Sequence, residues 1–430
     1  FTSLGFSQLG GAGFLFILGF ALLLNYFTYR GDLLTLFFAF IFLDSYSLVW
    51  GGNWGFIFFD ESSVDLSFTR ASVYLGYVIT LLTLLSNKGL PKLRRLDWLI
   101  LSFFSWGVLS IFWAEDYDEA SEHAMRFFQF IVLYFLTRVL IRRRYPIQRY
   151  FKFLISCFYL LLPVIFLQYL SGYFGEGYDQ GRPGDLATFI PYILAMLTLI
   201  KGSRVVVWLS ILSSVFFASF HGSRRVVIAI FAYFSLHFNL RRVVLMGLII
   251  FFTVGPLLLE LLPQVTLNRI ERTYDYSSRV LQGQVDDETL DKLGTNRWSL
   301  WQKTLAIWSR NPIFGVGLKN HVKLMDDYGY RGEARAHNFY LEVLADLGIV
   351  GFVIVLMVVQ AGFATLKSIK LDSNKLIFFT LMVRAYRYNF IVIHIVALLG
   401  SSMFYNKTTW IIYGLIGSLQ EIKNLKGEGI

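Results

Sequence analysis

The sequence predicts an all-α polytopic membrane protein with about 12 (12–13) transmembrane helices and one large outward loop containing short amphipathic helices. Three observations lead there. The 430 residues are 56% apolar and only 16% charged, with 43 Phe. The apolar residues come in repeated runs, many of about 18 or more, divided by short charged connections. The charge of those connections alternates in sign along the chain. Apolar runs fall at 5–27, 33–58, 71–86, 96–113, 124–141, 150–171, 186–200, 205–220, 226–240, 243–262, 349–366, 376–404 and 408–422. Three stretches follow: N-terminal transmembrane helices over 1–262, the loop over 263–337 and C-terminal transmembrane helices over 338–430, together one integral membrane domain.

The formal net charge of +10 could suit nucleic acid, but its placement is topological. Lys88, Lys92, Arg94 and Arg95 share one connection, and Arg142, Arg143, Arg144 and Arg149 share another. Lys201 with Arg204, Arg241 with Arg242, and Lys367, Lys370 and Lys375 follow at alternate connections. Intervening connections are acidic, with Asp60, Glu61 and Asp65, then Glu115, Asp116, Asp118, Glu119 and Glu122. Basic connections stay in the cytoplasm, so the acidic ones, and with them 263–337, face outward. The expected setting is a membrane crossed many times, with the working site on the outer side and no nucleic-acid partner. A single cysteine, Cys157, rules out an intrachain disulfide and reads as a small apolar side chain.

Long ordered loops in compact proteins usually carry function, and 263–337 is rich in cations that a simple pore would not need. Outward arginines include Arg182 in "GEGYDQGRPGD", Arg224 and Arg225 in "HGSRRVV", and Arg297 in "NRWSLWQKTLAIWSR". Arginine grips phosphate oxygens in a planar fork, so cations at headgroup depth point to a phosphate-bearing ligand. Trp298, Trp301, Leu305 and Trp308 repeat with a helical period, as in an amphipathic helix lying on the membrane with its indoles at the interface. Arg297 falls in the first turn of that helix, where an anion is favoured. "GVG" at 315–317 lacks the strand–turn–helix context of a nucleotide loop.

In "RAHNFYLEVLADLGIVG" (335–351), Phe339, Tyr340, Val343, Leu344 and Leu347 form one stripe of a short helix, with Asn338, Glu342 and Asp346 on the opposite face. Gly348 ends it. His337, one of six histidines, then stands at the helix N-terminus, which should hold the imidazole neutral and able to accept a proton. It reads either as a cap or packing residue or as a general base; Arg335, Asn338 and Glu342 are its expected supporting residues. Neither a Ser-His-Asp set nor a metal-spaced histidine cluster accompanies it, and His321 stands well upstream, so no metal or other cofactor is expected.

His337-Asn338 followed by Gly348 and Gly351 resembles the signature of the O-antigen ligase family, which also covers many O-antigen polymerases. "NRWSLWQKTLAIWSRNPIFGVGLKN" is similar to that family's Arg–Trp helix with its Pro and Gly-x-Gly turn, and "SFHGSRRVV" to its Ser-Arg hinge. The resemblance implies a metal-independent, inverting glycosyltransferase of the GT-C type. Its donor would be a glycan on undecaprenyl pyrophosphate at the periplasmic face of the bacterial inner membrane, which the chain would cross many times. Its acceptor would be a hydroxyl of lipid A–core for a ligase, or of a lipid-linked repeat unit for a polymerase. His337 would be the base, and Arg182, Arg224, Arg225 and Arg297 would hold the pyrophosphate. Membrane lipids and other polysaccharide-assembly proteins complete the expected partners.

A lipid-linked-sugar flippase is the competing class. It predicts midplane charges, broken spans in two related halves and short loops; the sequence shows no internal repeat, and its longest loop holds the best motifs. A receptor or scaffold gives no reason for the outward arginines. Asp44, Arg384, Arg387 and His394 are the ionisable residues within or beside apolar runs. Starting the last long run near Asn389 would place Arg384 and Arg387 in a cytoplasmic connection, and Asp44 is expected to pair with a cation inside the bundle.

Overall fold

The computed structural model describes residues 92–140, 264–294, 297–329, 334–369 and 407–424, with helical positions 245, 383, 387, 390–392, 394–395 and 398. Apart from the last two residues of the second helix they belong to one compact unit, made of Leu90–Arg138 and Gly184–Ile430. Among the described residues all regular structure is helical, as expected. Helix α1 (Arg95–Leu109) runs into a 3₁₀ turn (Ser110–Trp113), and α2 (Tyr117–Leu140) follows. The segment expected as the outward loop folds into α3 (Gln264–Leu281), α4 (Asp287–Gly294), α5 (Arg297–Arg310), α6 (Asn320–Leu324) and a 3₁₀ turn (Asp326–Tyr328). Helices α7 (Phe339–Ser368) and α8 (Lys407–Asn424) complete the set. Two stretches, Arg95–Trp113 and Phe339–Ser368, are long and apolar enough to cross a membrane. The runs expected before residue 92, those over 150–262 apart from position 245, and most of the run at 376–404 lie outside the described residues.

Aromatic rings fill the seam between α1, α2 and α8. Phe104 lies 4.6 Å from Trp410 and 5.2 Å from Phe127, centroid to centroid. A side chain at Gly107 would enter the Phe127 ring, and one at Gly414 would meet Thr137, so small residues let these helices approach closely, as in membrane bundles. Deep in the seam Arg138 pairs with Asp97, both almost fully buried. The same carboxylate accepts the Tyr134 hydroxyl at 2.6 Å and the Arg94 amide at 2.7 Å. Buried charges persist only when paired and hydrogen-bonded, and Asp97 has both kinds of partner.

The structural centre of the unit is the break in α7. Gly348 has φ 66° and ψ −169°, a conformation almost exclusive to glycine. Breaking a helix frees carbonyls on one side and amides on the other, and buried backbone groups need partners. The stretch 312–317 supplies them. Val316 and Gly317 amides donate to Ala345 O and Asp346 O at 3.0 and 2.9 Å, while Ile349 and Val350 amides donate to Pro312 O and Ile313 O at 2.9 and 3.4 Å. Leu347 O accepts from the Trp106 indole at 3.0 Å. The contact is backbone against backbone: a Cβ on Gly315 would strike Asp346, and one on Gly348 would strike Ile313. Leu318 N donates to Ser110 Oγ at 3.0 Å and Glu115 N to Val316 O at 3.3 Å, so the end of α1 clamps the other side of this loop. "GVG" is therefore the mortise for the α7 break.

Beneath it Leu300 and Ile307 of α5 pack with Val316, Met325 and Ala345. The buried face of α5 is Leu300, Thr304 and Ile307, while Trp298 and Leu305 point outward. At the far end of α7, Arg387 donates to Leu366 O at 2.8 Å and to Ile369 O at 3.2 Å, capping the helix. His394 bridges the hydroxyls of Tyr340 (2.8 Å) and Tyr413 (3.1 Å). Asp44 and Arg384 fall outside the described residues.

Candidate active site

The first turn of α7 is capped by Asn338, whose side chain accepts from the amides of Tyr340 and Leu341 at 3.1 and 3.3 Å. The cap is thus Asn338 and not His337, which stands one residue outside the helix. His337 is half-buried, and its backbone is left-handed, with φ 51°, a conformation that costs a non-glycine residue energy. Two bonds define the turn ahead of the cap. Trp301 Nε1 donates to Ala336 O at 2.9 Å. The His337 amide donates to Glu342 Oε1 at 3.1 Å. Asn338 then starts the helix.

Glu342 is buried, as are Asn338 and Asp346. The sequence sets these three on the face opposite the apolar stripe, and the structure turns that polar face inward. Its reason is His321. Asp346 Oδ1 lies 2.7 Å from His321 Nδ1 and also accepts the His321 amide at 3.0 Å. Burial would lower the affinity of this imidazole for a proton, but the charge and hydrogen bond of Asp346, with the charge of Glu342, overcome it and raise His321 above its ordinary value. His321 Nε2 is buried without a hydrogen-bond partner. Beside the pair, Glu342 and Asp346 line a small cavity walled by Phe103, Phe127 and Phe339. A second polar group adjoins: Glu119 Oε1 accepts from Lys319 Nζ at 3.2 Å and lies 3.0 Å from His123 Nε2. Arg335, half-buried, acts electrostatically on both His321 and His123.

Arg297 opens α5, as expected, one helical turn before Trp301. The amide end of this helix already faces an anion, because Asp291 Oδ1 of α4 accepts the Ser299 amide at 2.8 Å. The structure brings together His337, Asn338, Glu342 and Arg335, and joins their turn to the Arg297 helix through Trp301. Arg182, Arg224 and Arg225 lie outside the described residues. Sequence reasoning passed over Trp301, read as an interface indole, and the His321–Asp346 pair. Their available signals were spacing: Trp301 is four residues after Arg297, and Asp346 continues the Asn338–Glu342 stripe. Among the described residues no group of three acidic, histidine or cysteine side chains is arranged to hold a metal ion.

Residues 180–356 match the protein-family model described as O-antigen ligase. Over that stretch the chain is similar to the O-antigen ligase family. No curated protein matches the chain. The family match takes in every expected site residue, from Arg182 to Glu342, and both halves of the backbone seam at Gly315 and Gly348. O-antigen ligase family proteins are membrane proteins associated with glycosyltransferase-like ligase or polymerase activity, and the two apolar helices agree with that setting. The family points to lipid-linked glycan and polysaccharide substrates.

Proposed function

We propose that the chain is an O-antigen ligase-type glycosyltransferase that moves a glycan from undecaprenyl pyrophosphate to a hydroxyl of lipid A–core. It would work at the periplasmic face of the bacterial inner membrane. The observation that carries this reading is the bond from Trp301 to Ala336, which seats the His337 turn against the helix that Arg297 opens. His337 accepts the proton of the acceptor hydroxyl as that oxygen attacks the anomeric carbon. The bond from this carbon to the pyrophosphate oxygen breaks, and the configuration inverts. Arg297, with Arg182, Arg224 and Arg225, receives the negative charge that develops on the leaving pyrophosphate, a role that guanidinium forks can fill without a metal ion. Asn338 and Glu342 hold the turn, and Arg335 adds positive charge beside it.

Reconstitution with a lipid-pyrophosphate glycan tests this directly, with lipid A–core in one reaction and none in the other. Transfer to core is expected, with no loss on adding chelator. His337→Ala should abolish transfer while donor binding persists, and full activity in that variant would refute the general base. Polymer growth without core would make the enzyme a polymerase instead, with the same donor chemistry and another acceptor.

A further inference from the structure

The Ala336–His337 peptide is gripped at both polar atoms by side chains from different helices. Its carbonyl accepts from Trp301 Nε1 of α5, and its N–H donates to Glu342 Oε1 of α7. A peptide unit is planar, so fixing its oxygen and its nitrogen fixes the plane. On the other side of His337 the chain is pinned again, by the two amides that Asn338 caps. A single residue is left between two fixed units, and its φ is 51°. An unrestrained histidine would relax to negative φ, rotating the imidazole away from its present direction.

We propose that Trp301 and Glu342 are positioning residues for His337, clamping this peptide so that the imidazole is held toward the acceptor hydroxyl. The inference rests on the reading of His337 as the base and adds how that base is aimed. Glu342 suits the task because it is buried and attracted to His321, so its carboxylate has little freedom to leave. Trp301 suits it because a purely packing aromatic needs no N–H, whereas this indole spends its one donor on the peptide before the base. It also ties two functions together. Arg297 and Trp301 sit one turn apart on α5, so a shift of that helix moves the pyrophosphate arginine and the base together.

The test uses full-length protein in lipid nanodiscs with the lipid-pyrophosphate glycan as donor. Trp301→Phe keeps the ring and removes the N–H. We expect kcat to fall by about 10- to 100-fold, the scale of a misplaced reacting group, with donor KM and melting temperature little changed. Glu342→Gln, which keeps an acceptor oxygen for the His337 amide, should retain most of the activity that Glu342→Ala loses. A Trp301→Phe enzyme with unchanged kcat, or a loss confined to KM, would overturn the clamp, as would equal loss in both Glu342 variants. His337→Ala run alongside separates the two ideas. If it is inactive while Trp301→Phe is normal, only the clamp falls; if it is active, the base reading falls and the clamp with it.

Discussion

Replacing Gly348 by alanine should be far more damaging than a one-carbon change suggests. At φ 66° and ψ −169° an alanine is strained by about 1–3 kcal/mol. The new Cβ would also collide with the Ile313 carbonyl and lie 2.6 Å from Gly315 N. Clearing that collision means parting the seam where Ile349 N meets Pro312 O and Val350 N meets Ile313 O. Two backbone hydrogen bonds at about 0.5–1.5 kcal/mol each bring the total to roughly 2–6 kcal/mol, a large share of a typical folding free energy. Gly283 is the internal control, since it also has positive φ, 82°, but nothing within 4 Å of an added Cβ. Gly283→Ala should therefore cost only the left-handed penalty, about 1–2 kcal/mol. Thermal unfolding in detergent, followed by tryptophan fluorescence, should show Gly348→Ala melting roughly 5–15 °C below wild type, with Gly283→Ala close to it. A Gly348→Ala protein melting within about 2 °C of wild type would refute the seam as a structural requirement.

The raised proton affinity of His321 makes stability depend on pH in a definite sense. Its contribution should be complete below the ordinary histidine value of 6.5 and lost as pH rises through the higher folded value. The melting temperature should thus fall on the alkaline side in wild type, and His321→Asn should flatten that fall; an unchanged profile would contradict the His321–Asp346 pairing. Asp97→Leu should cost about 3–5 kcal/mol by stranding the buried Arg138, whereas Asp97→Leu with Arg138→Met should recover most of it. Folded yield in detergent and thermal melting of the two variants check this, and equal losses would contradict it.

How much of this was legible follows from where each signal resides. The apolar runs 96–113, 349–366 and 408–422 correspond to α1, the later part of α7 and α8, because hydropathy is a property of the segment itself. Helix α2 begins at Tyr117, ahead of the run at 124. Its start depends on Asp116, whose side chain accepts the Glu119 amide at 3.0 Å, and hydropathy cannot register a cap. The family motifs identified the His337 turn and the Arg297 helix, though not how they touch. The polar stripe Asn338–Glu342–Asp346 was visible as a stripe, but whether it faces solvent depends on His321, brought to it by the fold. Least legible was the seam, since its bonds join backbone atoms and only the glycines at 315, 317 and 348 mark it. Asp97 and Arg138 each look misplaced inside an apolar run until they are seen as partners.

The way the seam closes also sets a timetable for making the protein. Trp106 bonds Leu347 across 241 positions of sequence, and Ser110 bonds Leu318 across 208. At about 5–20 residues per second of synthesis, α1 leaves the ribosome roughly 10–50 s before the stretch that completes its outer end. During that interval the indole of Trp106 must be held by lipid headgroups, water or the insertion machinery, whereas the Ser110 hydroxyl already donates to Gly107 O. The His337 turn needs Glu342 of α7 to hold its amide, so it too is completed only late in synthesis.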